Sequence, residues 1–243
     1  GAKLTGRQGD HSFGLFLTDD SSTNILVPGN RSSAIAEIEG ESKATALRYR
    51  YNYNPDITLG WISTLRTAKD YSNIVHGIDA RARLSTYDVV KFQSLYSDTE
   101  YPADLFEQFC DADDPSECST PEETDDCSRE DGCDYNEKVL RTLTDKPFKG
   151  NAFKAGYYHN DSDWHYRVTY DKQNSGFRGD LGFIPRVDQS KIVIGGHRKW
   201  YAEPGDWWTQ FRIASDWDRT ENDAGELIED EAQISFNLNA QYN

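Results

Sequence analysis

Period-two alternation over runs of about ten residues, an aromatic content of 13% without any long apolar run, and short turns alternating with longer links predict an all-β fold. The pattern is that of an antiparallel up-and-down meander of about 12 strands, a transmembrane β-barrel or a portion of one. No stretch approaches the roughly 20 apolar residues of a membrane helix, which excludes a helical membrane protein and leaves a barrel open. The 243 residues suffice for a single barrel domain, with residues 99–150 as an acidic, Cys-rich loop insertion.

Strands are expected at about 2–8, 11–20, 43–53, 56–67, 73–85, 88–98, 151–160, 163–173, 176–184, 190–201, 206–219 and 228–242. Along the third, Thr45, Leu47, Tyr49, Tyr51 and Tyr53 alternate with Ala46, Arg48, Arg50 and Asn52. Ile78, Ala80, Ala82 and Leu84 then oppose Gly77, Asp79, Arg81 and Arg83. Trp164, Tyr166, Val168 and Tyr170 oppose His165, Arg167, Thr169 and Asp171. Trp207, Thr209, Phe211 and Ile213 oppose Trp208, Gln210, Arg212 and Ala214, and the last run sets Ile234, Phe236 and Leu238 against Ser235, Asn237 and Asn239. Many of these runs have the length a tilted strand needs to cross a bilayer, longer than strands of ordinary sheets.

Short turns fall at Arg7–Asp10, Asn54–Asp56, Thr86–Asp88, Asp161–Asp163 and Pro185–Gln189, and links at 21–42, 68–72, 99–150, 174–175 and 202–205 lie between them. Short turns on one side and long loops on the other follow the barrel pattern, in which the long loops are extracellular. With twelve strands, the first runs away from the long-loop side and the last runs back toward it. The chain, which begins at Gly1 with neither Met nor a signal peptide, is therefore expected to be an interior portion of a longer one, closed by further strands or chains.

The net charge of −16 is concentrated: residues 101–137 hold 14 Asp and Glu against the single basic Arg129, a net of −13. Neither this segment nor the nearly balanced remainder has the basic face of a nucleic-acid binder. All four cysteines, Cys110, Cys118, Cys127 and Cys133, lie in the acidic segment. An even count in a short loop points to two disulfides in an oxidising compartment, in any of three pairings. The spacing C-x7-C-x8-C-x5-C lacks the C-x2-C knuckle of zinc sites. Asp111, Asp113, Asp114, Asp125, Asp126 and Asp131 offer hard oxygen ligands suited to Ca²⁺. The other reading of the same residues is a solvated acidic loop.

The polar rows carry a mixed charge set, Arg48, Arg50, Asp79, Arg81, Arg83, Arg167, Asp171, Arg178, Asp180 and Arg212. Two readings stand: a charged lumen that selects solutes by sign and size, or ion pairs that plug a small lumen. Aromatic residues near strand ends, among them Tyr51, Tyr53, Tyr71, Tyr96, Tyr157, Trp164, Tyr170, Trp200 and Trp217, suit interfacial girdles, the rival being a sugar-stacking platform. His76, His159, His165 and His197 form no zinc-binding spacing, and no nucleophile, Walker or dinucleotide motif occurs.

The segments Gly1-Ala-Lys-Leu-Thr-Gly6, Phe13-Gly-Leu-Phe16, Val75-His-Gly-Ile-Asp79 and Leu181-Gly-Phe-Ile-Pro-Arg-Val-Asp188 resemble the barrel half of a group of uncharacterised bacterial proteins. The resemblance spans most of the chain outside the insert. It implies an outer-membrane barrel that typically follows a family-9-type carbohydrate-binding module. That family has no assigned reaction, so no catalytic residue is carried over, and the acidic insert departs from it. The expectation is a non-enzymatic barrel in the bacterial outer membrane, surrounded by lipid, with its acidic loop extracellular, passing solutes or displaying that loop. The rival is a secreted, soluble β-protein that binds glycan or calcium, and a third reading is a glycoside-active enzyme using lumen or loop carboxylates.

Overall fold

The computed structural model describes residues 1–31, 33–38, 40–102, 105 and 147–240. It is all-β, with thirteen strands: β1 (Ala2–Gln8), β2 (His11–Asp20), β3 (Thr23–Pro28), β4 (Ser33–Ile38), β5 (Ser42–Asn52), β6 (Ile57–Ala68), β7 (Tyr71–Arg83), β8 (Asp88–Glu100), β9 (Phe148–Asn160), β10 (Trp164–Gln173), β11 (Gln189–Tyr201), β12 (Trp208–Glu221) and β13 (Leu227–Ala240). Eleven of them form one antiparallel sheet in the order β1-β2-β5-β6-β7-β8-β9-β10-β11-β12-β13, a meander in which every sheet neighbour is the next main-sheet strand in the chain. The remaining two, β3 and β4, pair as a separate hairpin.

The expected strand at 176–184 is not one. Gly176, Gly179 and Gly182 interrupt it, and glycine weakens a strand by offering no side chain to pack. Residues 174–188 form instead a turn-rich excursion, and Pro185–Gln189 is no hairpin turn. The expected link at 21–42 folds into the β3–β4 hairpin. With one main-sheet strand fewer than expected, β13 runs in the same direction as β1, the reverse of the direction expected for the last strand.

The register steps steadily along the sheet. In one continuous row, Arg7 lies opposite Ser12, then Arg50, Gly60, Asp79, Gln93, Lys154, Asp171 and Lys191. The last ladder pairs at the short-turn end are Gln8–His11, Asn52–Thr58, Arg83–Val89, Asn160–His165 and Tyr201–Gln210. Each lies farther beyond that row than the one before. Left-handed residues sit where tight reversals need them: Gly9 (φ 57°) between β1 and β2, and Asp70 (φ 55°) between β6 and β7.

The two faces of the sheet differ. One carries Leu4, Leu17, Leu47, Leu59, Trp61, Leu65, Ile78, Phe153, Tyr166, Val168, Ile194, Ile234, Phe236 and Leu238, all large and between 39% and 68% exposed except Phe153 at 37%. Polar and small residues dominate the other, with Phe16 an exception. The packed core is therefore not central. It lies on the polar face at the long-loop end, where Ile25, Val27, Ala36 and Ile38 of the hairpin and Phe177 and Val187 of the excursion bury against Tyr71, Val75, Tyr101, Leu105 and Ala152. We call the hairpin and the excursion together the cap.

Candidate functional site

The cap is held by polar side chains that the strands present at regular two-residue intervals. Asn73 and Thr99 face one another across β7 and β8, and Val75 faces Ser97 one step further. Asn73 donates to Thr99 Oγ1 at 2.8 Å and to the Arg178 carbonyl at 3.3 Å, while its own carbonyl oxygen accepts the Asp180 backbone N–H at 3.2 Å. Ser97 Oγ accepts the Arg178 N–H at 3.0 Å. The Arg178 guanidinium, fully buried, donates to the carbonyls of Ser175 and Phe177 at 2.8 Å each and lies 5.2 Å from the centre of the Phe148 ring. These contacts give otherwise orphaned groups of an irregular segment the partners that burial demands. The hairpin and the excursion also join each other: Val187 N–H donates to Gly29 O at 2.9 Å, and Asn30 donates to Asp188 at 3.1 Å.

Asp180 accepts a hydrogen bond from Tyr71 Oη at 2.8 Å. Burial pushes its carboxyl up to about 6, against the opposing pull of the Tyr71 and Tyr101 hydroxyls and the Arg178 and Arg66 guanidiniums. Close approach of the excursion needs two glycines. A Cβ on Gly150 would stand 2.1 Å from Phe177 N, and one on Gly176 would stand 2.2 Å from Lys149 O.

Beyond the cap the polar face is charged. Arg48, Arg50, Asp79, Arg81, Arg83, Arg167, Asp171 and Arg212 all lie on it by register. Some of them pair. Arg48 Nη2 donates to Asp79 Oδ1 at 2.8 Å, passing over Gly60, where a Cβ would stand 2.5 Å from both partners. Lys154 meets Asp171 at 2.5 Å, and Lys191 meets Asp218 at 2.6 Å. Arg83 stands 3.9 Å from Asp56. Arg178 and Asp180 belong to the cap and not to a strand row, because the strand expected to carry them is absent. Tyr71, expected among the girdle aromatics, is buried on the polar face.

Other groups near the short-turn end were not among the expected site residues. His165 and His197 stand directly opposite on β10 and β11, their rings stacked 5.0 Å apart. Lys199 stands opposite Arg212, and Arg212 Nη2 lies 3.2 Å from His197 Nδ1. His165, His197 and Arg212 line a recess of about 200 Å³ together with Arg167, Ala214 and Asp216. The histidines share no sequence spacing. Their meeting depends on the β10–β11 register, which a strand at 176–184 would have ruled out.

The apolar face carries its own aromatic belt at the same end. His11 accepts or donates a 2.6 Å hydrogen bond with Tyr49 and stacks on Tyr51 at 4.9 Å. Arg198 lies 4.8 Å from the ring centres of both Trp164 and Trp200. Such amphipathic rings suit a boundary between apolar and aqueous surroundings.

Among the described residues no cluster of three His, Cys, Asp or Glu is placed to hold a metal ion. The cysteines Cys110, Cys118, Cys127 and Cys133 and the calcium candidates Asp111 to Asp131 lie outside the described residues.

These features define an antiparallel β-meander with one apolar face, one charged face and a cap on the charged face. No family model matches the chain, and no curated protein does. Among solved structures it is similar to a FadL homologue of Pseudomonas aeruginosa (9% identity, 96% of this chain, 64% of that chain, TM-score 0.40). It is also similar to BamA of Haemophilus ducreyi lacking POTRA domains 1–3 (8%, 93% and 41%, TM-score 0.38) and to the KdgM porin (7%, 99% and 96%, TM-score 0.28). The chain spans less than two thirds of the first two.

Proposed function

We propose that the chain is the wall of a bacterial outer-membrane β-barrel, non-enzymatic, through which small solutes pass. The apolar face carries this reading. A contiguous surface of Leu, Ile, Val, Phe, Tyr and Trp side chains across eleven neighbouring strands has no partner in the described fold. Exposed apolar patches on soluble proteins rarely exceed a few hundred Å². Lipid is the partner that fits such a band, flanked as it is by aromatic residues, with polar rows on the opposite face toward water. The cap then stands at the extracellular end of the lumen, on the side of the acidic insert, and the recess stands near the periplasmic turns.

The test is cell fractionation together with tryptophan quenching by brominated-chain lipids after folding into vesicles. Trp61, in mid-strand on the apolar face, is expected to be quenched, and the protein is expected in the detergent-extracted outer-membrane fraction. A monomer that stays in solution without detergent and shows no quenching overturns the membrane reading. The aromatic face would then be retested as a glycan-binding surface.

A further inference from the structure

The cations of the polar face are ordered by height. Counted from the last ladder pair at each short turn, Arg50, Arg81, Arg167 and Arg212 each stand two positions into the strand. The step in register that shifts the turn ends along the sheet shifts these arginines by the same amount. With the turn ends level, the four arginine positions fall at one level.

The row is not neutralised. Among the described residues, none of the four has a carboxylate within ion-pair distance, whereas Arg48, Lys154 and Lys191, farther from the turns, each have at least one. Like charges even stand directly opposite: Arg81 faces Lys91, and Lys199 faces Arg212. Directly opposed like charges destabilise a sheet, so a protein that keeps them without a counter-charge carries a local cost. Arg167 and Arg212 line the recess with His165 and His197, against the single acidic residue Asp216. Arg212 Nε is buried and meets no acceptor in the described protein. A buried donor without an acceptor is what an exogenous acceptor would complete.

We propose that this arginine ring is an anion-selecting mouth, and that the recess between Arg167 and Arg212 binds the anionic group, phosphate or carboxylate, of a solute entering the lumen. The proposal rests on the barrel reading for the word lumen. The binding site itself rests only on the described geometry. The recess opens on the face opposite the apolar band, so the anion comes from a dissolved solute and not from a lipid headgroup. Planar guanidinium forks favour acceptors with two or more oxygens, and rings of Arg and Lys favour anions in pores.

The experiment titrates inorganic phosphate into the full-length, detergent-folded chain at low ionic strength and follows ³¹P line broadening. Wild type, the double variant R167Q/R212Q, the charge-keeping R167K/R212K, and R198Q are compared. Arg198 is the control because it carries the same charge in the same strand as His197 but on the other face. Saturable binding is expected in wild type and R198Q. It is expected to weaken about tenfold or more in R167Q/R212Q, with R167K/R212K intermediate because a point charge replaces the fork. No saturable binding in wild type overturns the site even if a variant fails to fold, and so does equal binding in the folded double glutamine variant. Reversal potentials in planar bilayers test the barrel separately. Phosphate binding without any conductance sinks solute passage and leaves the site standing. Conductance without anion preference or phosphate binding does the reverse.

Discussion

Tyr71 Oη donates to the Asp180 carboxylate at 2.8 Å, joining the first residue of β7 to the middle of the cap across 109 positions of sequence. The pair fixes how cap docking depends on pH. Burial holds the docked carboxyl at about 6, above its ordinary 3.8, so the docked state binds the proton more tightly than the undocked one. Docking therefore strengthens as pH falls through 6, the gain being complete below about 4, and it is weakest when Asp180 is ionised above 6. Between pH 7.5 and pH 5 the opening equilibrium of residues 176–182 should fall about tenfold, one pKa unit being about a factor of ten. Hydrogen exchange corrected for intrinsic rates measures it. Asp180→Asn should remove most of that dependence, and a variant that keeps the full dependence assigns it to another group.

Gly150 and Gly176 should prove essential to the cap and not to the sheet. An alanine at either meets backbone atoms near 2 Å, which no side-chain rotation relieves. Gly150→Ala is expected to cost the docked cap about 1–3 kcal/mol, the usual scale of overpacking. Limited proteolysis should cut within 174–188 in the variant while the far-ultraviolet circular dichroism of the meander stays unchanged.

Neighbouring residues of β10 should respond unequally to the same substitution. Val168→Arg places a charge in the middle of the apolar face, expected to cost about 2–4 kcal/mol if that face meets the bilayer midplane. Thr169→Arg places it on the polar face, where the cost should be far smaller. Urea titrations of folding into vesicles give both values, and equal costs would contradict the assignment of faces.

Gly60 should matter no more than the ion pair that crosses it. Arg48 and Asp79 are partly solvated, so Asp79→Asn is expected to cost no more than about 1 kcal/mol. Gly60→Val meets only the tips of these two flexible side chains, so it should displace the pair and cost just as little, about 1 kcal/mol or less, by thermal unfolding in detergent.

The meander was legible because alternation is local: Trp164 to Asp171 shows its two faces with no knowledge of any neighbour. The placement of Arg48, Asp79, Arg167 and Arg212 on one face followed from the same period. The cap was not legible. Its hairpin residues Ile25, Val27, Ala36 and Ile38 are short apolar runs whose partners lie as far along the chain as Phe177 and Val187. Conversely, residues 176–184 imitate a strand in sequence although Gly176, Gly179 and Gly182, with Pro185 just beyond, leave no ladder to join. The recess was illegible for the same cause, since pairing His165 with His197 needs the length of the excursion between β10 and β11.

The drift of the short-turn ends has a geometric outcome for the whole wall. Gln8 ends its ladder one residue beyond the Arg7 row, whereas Tyr201 ends its own ten residues beyond Lys191 in that row. Laid flat, the sheet is a parallelogram and not a rectangle. Curling such a ribbon until its turns share one plane inclines every strand to the axis of curling, as closed β-barrels require. The slant of the wall is thus written into which residue hydrogen-bonds to which, and no separate interaction is needed to impose it.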